Sequence, residues 1–340
     1  MKPVKRKIIK IFFGILLFTY TVLVLLYGFF FLGSVEPASE ITWGVTFGHS
    51  QADDLGLNWQ ETYTALLDDM GVRNFRIPIY WDELEKERGQ FDFSKWDWQL
   101  RELEKRGGKA ILVVGFKQPR WPECRFPDWY NHDASQLEKD AWLFQMIRNV
   151  VAYYRDNPVV WAWQVENEPL LKFGVCPKED PSLLDAEIKL VRTLDPSRPI
   201  IITDTGEWSV WYEAGKRADI LGSTLYRVIH DPLVGFVRYD FLNPTFYARK
   251  AEILHFWRPN VRVLISELQA EPWVADPPIS KNSLEEQYKT LNPEQFRANM
   301  EFARRTGFDE FYLWGAEWFV WLREQGETEI WNEAQKLFAE

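Results

Sequence analysis

Several residue patterns that commonly announce a catalytic apparatus are missing. The 340-residue chain holds only two cysteines and four histidines. His49, His132, His230 and His255 are scattered without the spacing of a metal site, so neither a catalytic metal nor a cofactor is expected. No Gly-x-Ser-x-Gly occurs, which argues against a serine hydrolase of the nucleophile-elbow kind. No Gly-x-Gly-x-x-Gly follows the first apolar strand, which argues against a dinucleotide-binding sheet. Asn243-Pro-Thr is barred by its proline from acting as a glycosylation acceptor. Internal repeats and low-complexity stretches are lacking too. The first 35 residues contain no acid, only Lys2, Lys5, Arg6, Lys7 and Lys10. Since the whole chain is at −10, the remainder stands at −15. So acidic a body repels phosphate backbones, and no nucleic-acid partner is expected.

Charge of either sign is absent from Ile11 to Val35. A run of that length can span a hydrocarbon core of about 30 Å as a helix. A cleavable signal has a shorter apolar region, about 7–15 residues, and a small-residue cleavage site. Leu32-Gly-Ser-Val-Glu36 is a poor one. Residues 1–10 therefore read as a basic cytoplasmic tail, 11–35 as a transmembrane signal anchor and 36–40 as a linker. Residues 41–340 form the body, placed outside the cytoplasm of a single-pass membrane protein. Cys124 and Cys176 then lie in an oxidising compartment, in loops after adjacent strands, and a disulfide between them is expected over two free thiols.

What the body does contain is ample core-forming material, with 46% hydrophobic and 26% charged residues, and 18 tryptophans. Several Trp fall at strand ends, where they suit stacking on flat ligands such as sugar rings. Short runs apolar on both faces recur at 41–47, 74–80, 109–115, 159–165, 200–203, 220–226, 261–266 and 308–314. Between them lie helical segments at 58–70, 95–105 (capped by Ser94), 136–155, 180–194, 207–217 and 246–256. A further helix opens on the capping-box pattern Asn292-Pro-Glu-Gln295, and the last covers 327–338. Eight strands alternating with eight helices specify an α/β fold, a single (β/α)8 TIM barrel preceded by one N-terminal transmembrane helix.

Barrel enzymes carry their chemistry at the carboxyl ends of the strands. Here those ends hold Arg76, Asn167-Glu168-Pro169, Tyr226, Ser266-Glu267 and Trp314. Strict alternation would send Asn167 and Glu168 to opposite faces, so the fourth strand must end in a bulge or twist to present both. The ordered set, with Phe75-Arg-Ile-Pro78, resembles the clan A glycoside hydrolases, most nearly the cellulase-type family 5, from Ile41 to the end. The resemblance implies that Glu168 is the general acid/base and Glu267 the nucleophile. Arg76 and Tyr226 would position and tune Glu267, Asn167 would hold the sugar 2-hydroxyl, and Trp314 would floor the subsite at the cleaved bond.

Physical reasoning agrees, since retaining hydrolysis needs two carboxyls about 5–5.5 Å apart, one protonated and one ionised. Two features depart from the family. Gly115-Phe-Lys-Gln118 and Thr224 stand where the family often has histidines. Gln118, Trp121 and Trp273 are further candidate substrate contacts, with Arg120 beside them. The expected activity is retaining hydrolysis of β-linked oligo- or polysaccharides, so a carbohydrate and, through the first helix, a membrane are the partners. Two rival readings are a catalytically inactive, membrane-anchored carbohydrate-binding barrel and a transglycosylase using the same carboxylates.

Overall fold

The computed structural model describes residues 2–231 and 233–339; Met1 of the expected tail and Glu340 of the expected barrel domain lie outside them, as does Pro232. In chain order the helices are α1 (Lys2–Phe31), α2 (His49–Asp54), α3 (Trp59–Asp68), α4 (Trp81–Leu84), α5 (Ser94–Glu104), α6 (Gln136–Tyr154) and α7 (Pro181–Leu194). They continue with α8 (Tyr212–Gly215), α9 (Pro244–Trp257), α10 (Leu284–Gln287), α11 (Pro293–Arg304), α12 (Ala316–Glu324) and α13 (Glu329–Phe338). The strands are β1 (Thr42–Thr46), β2 (Asn74–Pro78), β3 (Lys109–Val114), β4 (Val160–Val165), β5 (Ile200–Asp204) and β6 (Ile220–Leu225). A hairpin, β7 (Val228–Asp231) and β8 (Gly235–Arg238), precedes β9 (Arg262–Gln269) and β10 (Glu310–Trp314).

Eight strands close into a barrel in the order β1-β10-β9-β6-β5-β4-β3-β2, and the hairpin stands apart. Every barrel pairing is parallel. The sequence supports this locally. Asn58, Asp180, Asn243 and Asn292 each accept backbone N–H bonds at a helix start, three of them just before a proline. Ser135 and Glu138 close a capping box on α6. Outward strand residues pack against the helices in the main core, while Ile111, Ala162, Ile201, Ile220, Leu264 and Tyr312 fill the barrel. Each large apolar side chain so buried is worth about 1.5–3 kcal/mol. Toward the carboxyl ends the interior turns polar: Arg76, Gln164 and Ser223 are fully buried there. Burying that many polar atoms requires bonding them to one another, which is what fixes the site.

Three local expectations fail. Helix 207–217 shrinks to the single turn Tyr212–Gly215. The Glu207 carboxylate instead accepts the Tyr226 N–H and the Tyr247 hydroxyl, both at 2.9 Å, and Lys250 donates to the Gly206 carbonyl. Trp211 takes a left-handed φ of 65°. These tertiary bonds claim the segment that helical propensity would have used. Ser94 does not cap α5; Asp92 Oδ1 accepts its N–H at 2.9 Å instead. Gln295 does not complete the capping box, because its amide donates to Asn299 Oδ1 at 2.7 Å. The helices α2, α4, α10 and α12 and the hairpin were not anticipated.

The first helix starts at Lys2 and stops at Phe31, shifted from the expected 11–35. Its Lys10–Phe31 stretch, 22 residues of mean hydropathy 2.2, is long and apolar enough to cross a membrane. From Ile11 to Tyr27 it is exposed. Only its end touches the barrel: Phe31 stacks on Phe246 at 5.8 Å between ring centroids, and Asn243 donates to the Phe31 carbonyl at 2.9 Å.

Candidate active site

Arg76, on β2, is the hub. With no exposure to solvent, its guanidinium must find acceptors on every side. Nε donates to Gln164 Oε1 at 2.7 Å, Nη2 to Asn167 Oδ1 at 2.5 Å, and Nη1 to Glu267 Oε1 at 3.1 Å and Thr46 Oγ1 at 3.2 Å. One planar cation thus ties β1, β2, β4 and β9 together at the level where the barrel opens. A lysine could not reproduce that fork.

Glu267 reaches the mouth because β9 is irregular. Against β6 the register steps from Ser223↔Ile265 to Thr224↔Glu267, so Ser266 is an extra residue on β9. Such a bulge re-aims the next side chain. The Glu267 carboxylate is 4% exposed and both its oxygens are occupied, one by Arg76 and the other by the Tyr226 hydroxyl at 3.0 Å. Burial, followed by the Glu267 charge, pushes the Tyr226 hydroxyl well above its ordinary range, so it stays a donor.

The end of β4 breaks alternation, as the sequence demanded. Glu166 and Glu168 both have positive φ, 59° and 43°. Such non-glycine conformations cost about 1–3 kcal/mol each and persist only where surrounding bonds dictate them. Those bonds are present. The Glu166 carboxylate accepts the backbone N–H groups of Phe116 (3.0 Å) and Lys117 (2.5 Å). Thr203 Oγ1 accepts the Glu168 N–H at 2.8 Å, and the buried Lys117 ammonium donates to the Glu168 and Leu171 carbonyls. A Cβ at Gly115 would fall 2.3 Å from the Glu166 carboxyl, so only glycine fits there. The result sets Asn167 beside Arg76 while leaving the Glu168 carboxyl, among the described residues, without a hydrogen bond or ion pair. Burial first, then the charges of Glu267 and Glu123, push that carboxyl well above the ordinary carboxylate range.

The remaining candidates lie around this centre. Trp314 ends β10, half-buried, with the Arg120 guanidinium 4.1 Å from its ring centroid. Trp273 packs against Tyr226 at 5.4 Å between centroids. Trp121 is 63% exposed and touches Phe173. Gln118 is buried, and its amide donates to the Gly115 carbonyl at 2.9 Å. Cys124 and Cys176 form a disulfide that joins the loop after β3 to the loop after β4. Thr224, at one of the two departures from the family pattern, faces Glu207 (3.1 Å) rather than Glu267.

Sequence reasoning missed Gln164, Thr203, Lys117 and Glu123. A signal existed for Gln164, an amide inside an otherwise apolar strand. None existed for Glu123, whose position depends on how a long loop folds back. Glu166 holds the turn that displays Glu168.

A closed parallel barrel thus holds Glu168 and Glu267 buried at its mouth, and of this pair only Glu267 is bound to an arginine. The profile of the family described as Cellulase (glycosyl hydrolase family 5) matches residues 40–233, more than half of the chain. The chain belongs to this family of glycosidases. It is 27% identical over 238 residues to Endo-1,4-beta-xylanase A of Phanerodontia chrysosporium, which covers 64% of this chain and 54% of that protein. It is 27% identical over 123 residues to Beta-galactosidase BbgII of Bifidobacterium bifidum, covering 30% of this chain and 17% of that protein. The chain thus spans about half the length, or less, of these curated relatives.

Similar solved structures include the beta-galactosidase of Bacillus circulans sp. alkalophilus, with TM-score 0.60, 12% identity and coverage of 89% of this chain and 56% of that one. Another is the exo-beta-1,4-mannosidase Op5Man5 of Opitutaceae bacterium strain TAV5, with TM-score 0.58, 15% identity and coverage of 90% and 61%. At such identities the structural likeness shows the shared fold alone.

Proposed function

We propose that the chain is a retaining glycoside hydrolase acting on β-linked oligo- or polysaccharides. One observation carries the reading: Glu168 and Glu267 are both buried at the barrel mouth, but only Glu267 is held by a cation and a phenol. Glu168, kept protonated, gives its proton to the departing glycosidic oxygen as Glu267 attacks the anomeric carbon. The bond to the leaving sugar breaks and a glycosyl–Glu267 ester forms. Glu168, now ionised, takes a proton from water, which attacks the same carbon and releases Glu267. Asn167, its oxygen engaged by Arg76, offers its amide to the 2-hydroxyl, and Trp314 supports the sugar ring. Gln118, Trp121 and Trp273 supply outer substrate contacts. Family membership supports this chemistry, as do the xylanase and galactosidase among the sequence relatives, each acting on a β-linked substrate by its name.

Residues 1–10, the apolar helix and residues 36–40 would act as cytoplasmic tail, membrane anchor and linker. Residues 41–340 would form the catalytic domain outside the cytoplasm. The flanking basic residues and the disulfide support that orientation.

Incubation with 2-fluoro glycosides of several sugars, followed by peptide mass spectrometry, tests the chemistry. A sugar esterified to Glu267 is expected. A folded protein that takes no label from any of them would leave the binding-only barrel in its place.

A further inference from the structure

The barrel mouth is not an open groove. Arg120 belongs to the loop after β3, yet it pairs with Glu271 after β9 and, at 2.8 Å, with Glu317 after β10. In the barrel order β3 and β9 are four strands apart in either direction, and this side chain crosses from one to the other past the ends of β2, β1 and β10, against Pro119's partner Tyr80, Gly48 and Trp314. It is 5% exposed and lies over Trp314. Glu317 also accepts the Gly48 N–H, after β1, at 2.7 Å, which ties the crossing to a third strand end.

The next residue, Trp121, begins a second crossing: Trp121–Phe173, Phe173–Trp273 and Trp273–Tyr226 ring centroids are 6.3, 6.4 and 5.4 Å apart. These rings come from the loops after β3, β4, β9 and β6. The disulfide pins the first of those loops to the second. Glu168 and Glu267 are left 7% and 4% exposed.

The covered side can be identified. Glu123, three residues beyond Arg120 in the same loop, lies beside Asn167 and within reach of the Glu267 charge. Asn167 and Glu267 both act on the sugar that becomes esterified, so the loop sits over that sugar and not over the leaving group. Glu123 is itself 5% exposed, and its Oε2 lies 3.4 Å from Lys117 Nζ without a hydrogen bond. A carboxylate held at that oxygen only by the Lys117 ion pair still has lone pairs for a hydroxyl of the bound sugar.

From this geometry, and resting on the hydrolase reading above, we propose that the chain is exo-acting: residues 118–124 close the site into a blind pocket that takes one sugar from the non-reducing end of a β-linked glycan, with Glu123 binding its hydroxyls. A chain interior could not enter without displacing a doubly ion-paired, buried arginine.

The test uses the full-length protein in detergent with reducing-end-labelled xylo-, manno-, cello- and β-1,4-galacto-hexaoses, each also supplied with its non-reducing end capped. Monosaccharide as the only early unlabelled product, with the capped chains uncut, is expected. Di- to tetrasaccharides as first products, or cutting of capped chains, would overturn the proposal. Phe173→Ala and Arg120→Ala should let capped chains be cut. Because Phe173 is 41% exposed, its variant carries the test if the arginine variant does not fold. Capped chains still uncut by a folded Phe173→Ala would overturn the crossing as the cause.

Glu123→Gln should raise KM for the terminal-sugar substrate about tenfold or more, the value of a hydrogen bond to a charged group. An unchanged KM would overturn its role. Labelling of Glu267 by a 2-fluoro glycoside, run in parallel, separates the two layers. Label with internal cutting sinks the exo mode alone, whereas no label and no cleavage of any substrate sinks the hydrolase reading and the exo mode with it.

Discussion

The ends of β4 and β9 each deliver one glutamate to the same buried space and equip it differently. Around Glu267 the barrel supplies a guanidinium and a phenol, both donors, so each oxygen is held in place. Around Glu168 it supplies bonds to the backbone only, from Thr203 and Lys117, and leaves the carboxyl to burial and the negative charges of Glu267, Glu123 and Asp204. Even the backbone devices differ: a bulge turns Glu267 inward, whereas left-handed residues at 166 and 168 turn Glu168. On the proposed mechanism the two identical side chains take different roles, because only the Glu168 carboxyl is left to burial without a donor, which favours its protonated form.

The largest effect should come from Glu267→Ala. Loss of hydrolysis on the order of 10⁴-fold, in protein that is destabilised through its unpaired Arg76 but still folded, is expected for removal of a nucleophile. Full residual activity would end the distinction between the two strands. Glu168→Ala should cost about 10²–10⁴-fold on natural linkages but much less on aryl glycosides with good leaving groups, which need little protonation. Equal losses on both substrate types, measured side by side, would remove the acid role.

Arg76→Met leaves Glu267 buried beside no guanidinium. Breaking a buried pair from one side typically destabilises by about 3–5 kcal/mol, which urea unfolding would register. A near-neutral result would mean that Tyr226 alone supports the β9 carboxylate.

The pH profile sharpens the contrast further. On the proposed mechanism activity needs the Glu168 proton, so with its carboxyl raised the activity should be present at lower pH and fall as pH rises through that value. Burial pushes Glu123 up to about 7, and as it ionises its charge helps Glu168 to keep its proton. Glu123→Gln should therefore move the alkaline limb of kcat/KM to lower pH, and an unmoved limb would separate the two carboxyls electrostatically. The smallest effect belongs to Thr203→Val, which removes the acceptor for the Glu168 N–H. A destabilisation of about 0.5–1.5 kcal/mol with a modest drop in kcat is expected. No change in either would show that the β4 turn holds without it.

Much of this was legible in the chain itself. Apolar runs broken by Asn-Pro and Asp-Pro helix starts specify eight βα units, because a strand covered on both faces and a helix capped at its start are local facts. The clash between alternation and the adjacent pair Asn167-Glu168 even foretold irregular backbone at the end of β4. Helix 207–217 was misread because Glu207 is bonded by Tyr226 and Tyr247, residues distant in sequence. Glu123 and the Arg120 crossing were hidden for the same reason, since their partners come from loops on other strands.

The sequence by itself determined the barrel, the apolar first helix and the ordered set Arg76, Asn167, Glu168, Tyr226 and Glu267, since these follow from periodicity, caps and position at strand ends. Only the tertiary structure decided that Arg76 also binds Gln164, that Thr224 faces Glu207 and not Glu267, and that Arg120 pairs with Glu271 and Glu317. Those outcomes depend on distances between side chains carried by different strands and loops, and no local pattern encodes such distances.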